Sequence, residues 1–229
     1  MKVINASLGR TGTSSFSLAM NSLGYKCHHL KEMKHSDFKD SELFYNAAVN
    51  RDTADWDKVY AGYDACADFT GAYFYKHLFA KYPDAKVILT ERDFQDWFTS
   101  MENTIWPALK NPPPIEEGNP RFYYRKLVQE IICDGPLQRK GEDLDREAMK
   151  MYYENHIKQV KELIPADQLY VYKLGEGWDG LCKFLDKNVP VDMPYPKVNS
   201  AAQFNAHMKE TKAKLILDAS IKNLEVCGQ

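Results

Sequence analysis

The sequence predicts an α/β fold in which a central parallel sheet is covered by helices on both faces. Apolar, strand-like runs at residues 2–7, 86–91 and 169–173 each lead into a helical pattern. Strands separated by helices pair in parallel, and parallel sheets are buried on both sides. The chain has 229 residues, 44% of them hydrophobic and 27% charged, so it can bury a core without a metal or disulfide staple.

The first strand is broken by Leu8-Gly9-Arg10-Thr11-Gly12. From Thr13 the period becomes helical, with Phe16, Met20 and Leu23 on one face and Gly24 as the stop. The second run follows the turn-like Tyr82-Pro83-Asp84 and feeds a helix starting near Asp93 that carries Trp97, Phe98 and Met101. The third is followed, past Gly175 and Gly177, by a helix through Leu181 and Leu185. Further helices are expected near 36–50, 54–61, 72–81, 121–132, 145–163 and 200–226. The stretch from Asn111-Pro112-Pro113-Pro114 to Gly118-Asn119-Pro120 suits a lid or substrate loop better than a linker. Without a repeat or a domain boundary, residues 1–229 read as one domain.

Several classes are excluded by composition. The balance of 30 basic against 32 acidic residues gives −2, which argues against a dedicated nucleic-acid binder. No window approaches 18 uninterrupted apolar residues, and the N-terminal apolar run is too short for a signal segment. The five cysteines (Cys27, Cys66, Cys133, Cys182, Cys227) are scattered and form no CxxC, as in reduced cytosolic proteins. With the six histidines they make no zinc spacing, so no metal is expected.

The first strand–loop–helix junction carries the chemistry. Gly9-Arg10-Thr11-Gly12-Thr13-Ser14-Ser15 places a cation, glycines and four hydroxyls at a helix start. Free N–H groups and the helix dipole favour an anion there, and glycine admits close approach. Ser and Thr are also ordinary helix caps, so phosphate or sulfate binding competes with a plain turn. No Lys follows Gly12, unlike GxxxxGK[ST], and Gly9-x-x-Gly12 is not GxGxxG, so standard ATP, GTP and dinucleotide sites fail on their own residues. At the second junction Arg92 ends the strand and Ser100 follows eight residues later, about two helical turns on. Arg92 either meets the same ligand or pairs with Asp93 or Asp96 at the surface.

These residues resemble the sulfotransferases that use 3′-phosphoadenosine 5′-phosphosulfate (PAPS). Their phosphosulfate loop is similar to Arg10-Thr11-Gly12-Thr13-Ser14, and their 3′-phosphate motif to Arg92 with Ser100. The resemblance is strongest to a divergent branch that shares GRTGTSS, Tyr82-Pro83-Asp84-Ala85-Lys86 through Asp93, Gly177-Trp178 to Leu185, and Pro194-Tyr195-Pro196-Lys197-Val198-Asn199. Members are sometimes labelled as epimerases, a label the missing GxGxxG contradicts. Three departures stand out: Arg10 for the lysine of better-known branches, no proline after Asp68, and no clear Arg-Lys-Gly loop, with Lys197 a weak stand-in.

The resemblance implies a P-loop NTPase-like, three-layer α/β/α fold of sulfotransferase type. It implies transfer of a sulfuryl group from PAPS to a hydroxyl or amine of a small acceptor, with PAP as product and no metal. Gly9, Arg10, Thr11, Gly12, Thr13, Ser14, Ser15, Arg92 and Ser100 would hold the cofactor. Arg10 would face the reacting sulfuryl group and Arg92 the 3′-phosphate. Asp68 is the candidate base, with N-capping of the next helix as its alternative; His28, His29 and His77 are rival bases. Tyr123-Tyr124 and Tyr152-Tyr153 either line a pocket for an apolar or aromatic acceptor or pack helices. Two other readings stay open: a non-catalytic P-loop-like nucleotide-binding protein, and an atypical small-molecule kinase, which lacks an evident acidic residue after a strand to hold Mg²⁺.

Overall fold

The computed structural model describes residues 1–110, 114–132, 137 and 143–210. Strands β1 (Val3–Asn5), β2 (Cys27–His29), β3 (Ala65–Ala67), β4 (Lys86–Glu91) and β5 (Leu169–Lys173) form one sheet in the order β2-β3-β1-β4-β5. Every pairing is parallel, with Val3 opposite both Ala65 and Lys86, His28 opposite Cys66, and Ile88 opposite Tyr170. The expected runs at 2–7, 86–91 and 169–173 are β1, β4 and β5. Two strands, β2 and β3, were not legible in the sequence.

The sheet is the middle of three layers, as its alternation shows. Val3, Ala65, Ala67 and Ile88 pack on Phe16 and Met20 of α1 (Thr13–Ser22) and on Leu181 and Leu185 of α10 (Asp179–Leu185). Ile4, Cys66, Val87 and Leu89 point the other way. They meet α3 (Ser41–Val49), α5 (Phe69–Lys81), α6 (Phe94–Ser100) and α9 (Arg146–Leu163). Successive strand residues face opposite sides, so each strand feeds both cores. Gly71 lets α5 lie against β1, since a Cβ there would collide with the Asn5 carbonyl oxygen.

The helix at 36–50 is shorter than expected. A turn, α2 (Glu32–His35), precedes it, and Asp37 and Phe38 take left-handed φ of 53° and 63° before α3 begins. The remaining expected helices appear as α4 (Trp56–Val59), α5, α8 (Phe122–Ile131) and α9. After Ser100, a π-helical turn (Met101–Ile105) leads into α7 (Trp106–Lys110). Residues 201–210 are helical; 211–226 of the expected last helix, with Cys227, Cys133 and 111–113 of the proline-rich loop, lie outside the described residues. Among the described residues no helix is long and apolar enough to cross a membrane.

Candidate active site at the carboxyl edge of the sheet

The parallel strands end on one edge, where the segments after β1, β3 and β4 meet through hydrogen bonds. The loop after β1 lies at its centre. It is fixed from within by Thr11 Oγ1, which donates to the Leu8 carbonyl at 2.7 Å. From outside, Trp97 Nε1 donates to the Gly9 carbonyl at 2.9 Å. Gly12 takes φ +91°, which favours glycine, and a Cβ there would lie 2.6 Å from the tip of the exposed Leu174 side chain, which would have to swing aside. Arg10 also takes a positive φ, 69°, which a non-glycine residue adopts only under constraint.

The loop keeps its amides for something else. Among the described residues, the backbone N–H groups of Gly9 to Ser15 donate to no other group of the protein. Buried backbone donors are almost always paired, so a run of unpaired N–H groups at the head of α1 can take an anion. The side chains of Thr13, Ser14 and Ser15 are buried beside it.

On the β4–β5 side stand the two arginines. Arg10 Nε donates to Ser100 Oγ at 3.0 Å, and its Nη2 donates to the Asn199 carbonyl at 3.1 Å. Arg92 Nη1 donates to the Arg10 carbonyl at 2.9 Å, and Arg92 forms no ion pair with Asp93 or Asp96. Instead Asp93 caps α6 by accepting from the Asp96 N–H. Tyr153 holds the Arg92 backbone from both ends: its hydroxyl accepts from the amide at 3.1 Å and donates to the carbonyl at 2.8 Å. Its ring lies 4.6 Å from that of Trp97, so this tyrosine positions Arg92. Arg10, Arg92 and Ser100, separated by up to 90 residues, therefore form one group, and Arg10 reaches the corner assigned by sequence to Arg92.

The β2–β3 side carries the candidate base. Asp68 follows β3 directly, buried, with φ 68°. It precedes α5 but makes no side-chain cap; its Oδ1 instead accepts from Thr13 Oγ1 at 3.2 Å. Burial pushes its carboxyl up to about 6, against the pull of the Thr13 hydroxyl and of Arg10. The expectation that no acidic residue follows a strand does not hold. Ala65-Cys66-Ala67 lacks the β-branched residues that mark a strand, and it conceals the position of Asp68.

The rival histidines separate by environment. His29 Nδ1 accepts the Lys31 N–H at 3.2 Å, so the ring proton sits on Nε2, 3.3 Å from Thr13 Oγ1 and 3.2 Å from Ser14 Oγ. The 3.5 Å approach of Nδ1 to Asp68 Oδ2 is thus no ion pair, because burial holds His29 down to about 3. His28 is a core residue, stacked 4.4 Å from Phe44 with Nδ1 3.2 Å from Thr70 Oγ1. His77 pairs with Asp52 late in α5.

Sequence reasoning missed the segment that crosses the loop. The Val198 N–H donates to Ser15 Oγ at 3.1 Å, and Asn199 Nδ2 donates to Ser14 Oγ at 3.2 Å. Phe204 lies 5.2 Å under the Arg10 guanidinium. Asn199 belongs to the closing motif, but nothing in its spacing indicated contact with a loop 185 residues away. Lys197 is exposed beside it.

The sulfotransferase domain family matches residues 2–204. A relative from Aspergillus versicolor, "Ava biosynthesis cluster protein M", is 31% identical over 207 residues, covering 83% of this chain and 78% of that protein. The crystal structure of a sulfotransferase from Alicyclobacillus acidocaldarius is similar over 93% of this chain and 91% of its own, with 14% identity and a TM-score of 0.48. The family match spans both the anion loop and the strand ends that hold Asp68 and Arg92, and the chain belongs to the sulfotransferase domain family.

Proposed function

We propose that this protein transfers a sulfuryl group from PAPS to the hydroxyl of a small, largely aromatic acceptor. One observation carries the reading. Thr13 stands at the head of the anion loop and donates its hydroxyl to Asp68, so the cradle and the base adjoin through one residue. The residues fit the cofactor: unpaired amides from Gly9 to Ser15 suit the phosphosulfate, and Arg10, Arg92 and Ser100 suit a second phosphate. Bound PAPS supplies an activated sulfuryl group, whose bond to the 5′-phosphate breaks as the acceptor oxygen bonds to sulfur.

The protein's part is to position and to stabilise charge. Asp68, ionised above about pH 6, takes the acceptor's hydroxyl proton. The amides at the head of α1 hold negative charge where it builds on the leaving phosphate. His29, neutral, donates Nε2–H toward the Thr13 and Ser14 hydroxyls and leaves Asp68 as the proton acceptor. The buried, unbridged thiols of Cys27, Cys66 and Cys182 fit a reducing compartment such as the cytosol.

A second reading has one observation behind it. A carboxylate beside a loop threonine is also the pair that holds Mg²⁺ in nucleoside triphosphate sites, which a small-molecule kinase would use. Calorimetry separates the two. PAP should bind at least about tenfold tighter than AMP, because the 3′-phosphate gains charge-assisted hydrogen bonds. Equal affinities for PAP and AMP, or tighter binding of ATP with Mg²⁺, would overturn sulfuryl transfer. PAP binding with no transfer from PAPS to any phenol would leave a nucleotide-binding protein.

A further inference from the structure

The sheet order divides the site. The anion loop follows the central strand β1, Arg92 follows β4, Asp68 follows β3, and His29 ends β2 with Lys31 two residues on. With the second phosphate on the β4 side, the acceptor's place is the β2–β3 side, and that side has its own chemistry. Phe38 and Tyr124 meet edge to face with centroids 5.2 Å apart. Arg121 lies 5.4 Å from the Phe38 centroid and Lys34 Nζ 6.0 Å from that of Tyr124. Phe38 is held there by a left-handed backbone, φ 63°, following Asp37 at φ 53°, and by its N–H to the Met33 carbonyl at 2.6 Å. Consecutive non-glycine residues in this region persist only where the surroundings enforce them, and such strain gathers at ligand sites.

Each cation rests on an aromatic ring and not on a carboxylate among the described residues. Lys34 and Arg121 are half-buried, and among the described residues neither forms an ion pair with a carboxylate. Lys86, half-buried like them, is paired with Asp186 at 3.5 Å. Burial and then the neighbouring Arg121 pull the Lys34 ammonium below its ordinary value, while Asp68 raises it. Two like charges beside each other and beside the base form a site that an anion would relieve.

Building on the sulfuryl-transfer reading, we propose that the acceptor is a hydroxylated aromatic carboxylate. Its hydroxyl meets Asp68, its ring lies against Phe38 and Tyr124, and its carboxylate is held by Lys34 and Arg121. A neutral phenol would fill the aromatic part and leave the cations without a carboxylate, which is a basis for discrimination.

The test uses 4-hydroxyphenylacetate and its methyl ester, titrated calorimetrically into protein saturated with PAP. The acid should bind at least about tenfold tighter than the ester. That ratio should collapse toward one in Lys34→Met/Arg121→Met and survive in Lys34→Arg, while PAP affinity stays unchanged and reports an intact fold. The proposal fails if the ester binds as tightly, if the acid does not bind at millimolar concentration, or if the preference survives in the double variant. Should PAP itself not bind, the sulfuryl-transfer reading fails, and the acid–ester comparison in free protein still decides whether this side selects a carboxylate.

Discussion

The backbone N–H of Lys31 donates to His29 Nδ1 at 3.2 Å, and this bond decides which nitrogen of the ring can act on the site. With Nδ1 occupied, the proton lies on Nε2 and points at the hydroxyls of Thr13 and Ser14. Long-range ¹H–¹⁵N NMR should show His29 as the neutral Nε2–H tautomer from pH 5 to 9, in keeping with a value pushed down to about 3. A resonance titrating near 6.5 would contradict the assignment.

The same burial makes stability depend on pH. His28 and His29, both held near 3, stay neutral in the fold but protonate on unfolding below their ordinary 6.5. Asp68, held near 6, keeps in the fold a proton that the unfolded chain loses above 3.8. Between roughly pH 4 and 6 the unfolded state therefore binds one more proton from these three groups, and stability rises with pH by about 1.4 kcal/mol per unit. Asp68→Asn removes the offsetting proton, so the slope from these groups should double. Urea unfolding across this range checks it, and an equal slope in both proteins would refute it.

Asp68→Asn keeps the shape and the bond from Thr13 but cannot take a proton. Turnover with PAPS should fall by about 10²–10⁴ while PAP affinity changes little. In the unaltered protein the rate should rise with pH through about 6, as the carboxyl ionises, and this limb should vanish in the variant.

Arg10 and Arg92 are joined through the Arg10 carbonyl, and Arg10 also bonds Ser100. The family resemblance implies separate roles, with Arg10→Ala lowering kcat and Arg92→Ala raising KM. The shared geometry predicts coupling instead. A double-mutant cycle on PAP affinity should depart from additivity by about 0.5–3 kcal/mol, whereas strict additivity would mean two independent sites.

Gly12→Ala meets a left-handed backbone, φ +91°, and the Leu174 side chain at 2.6 Å. The substitution should cost on the order of 1–3 kcal/mol and weaken PAP binding through the distorted loop. Leu174→Ala in the same chain should recover only the steric part. Thermal unfolding of the two variants separates steric from backbone strain.

The amino-acid sequence by itself determined the elements that announce themselves locally. Lys86-Val87-Ile88-Leu89-Thr90-Glu91 is β-branched and apolar, and the glycines around Arg10 and Thr13 mark a turn into a helix start. These suffice for a parallel α/β sheet with an anion loop after its first strand. Cys27-His28-His29 and Ala65-Cys66-Ala67 were invisible, because nothing in three such residues favours a strand. They become strands because parallel neighbours and two helical layers bury them, a condition that exists only in the folded chain. With them the tertiary structure decided where Asp68 points, which histidine reaches the loop, and that Asn199 lies over Ser14. Each is a contact between residues far apart in sequence, and local periodicity contains no information about which distant partner a side chain will meet.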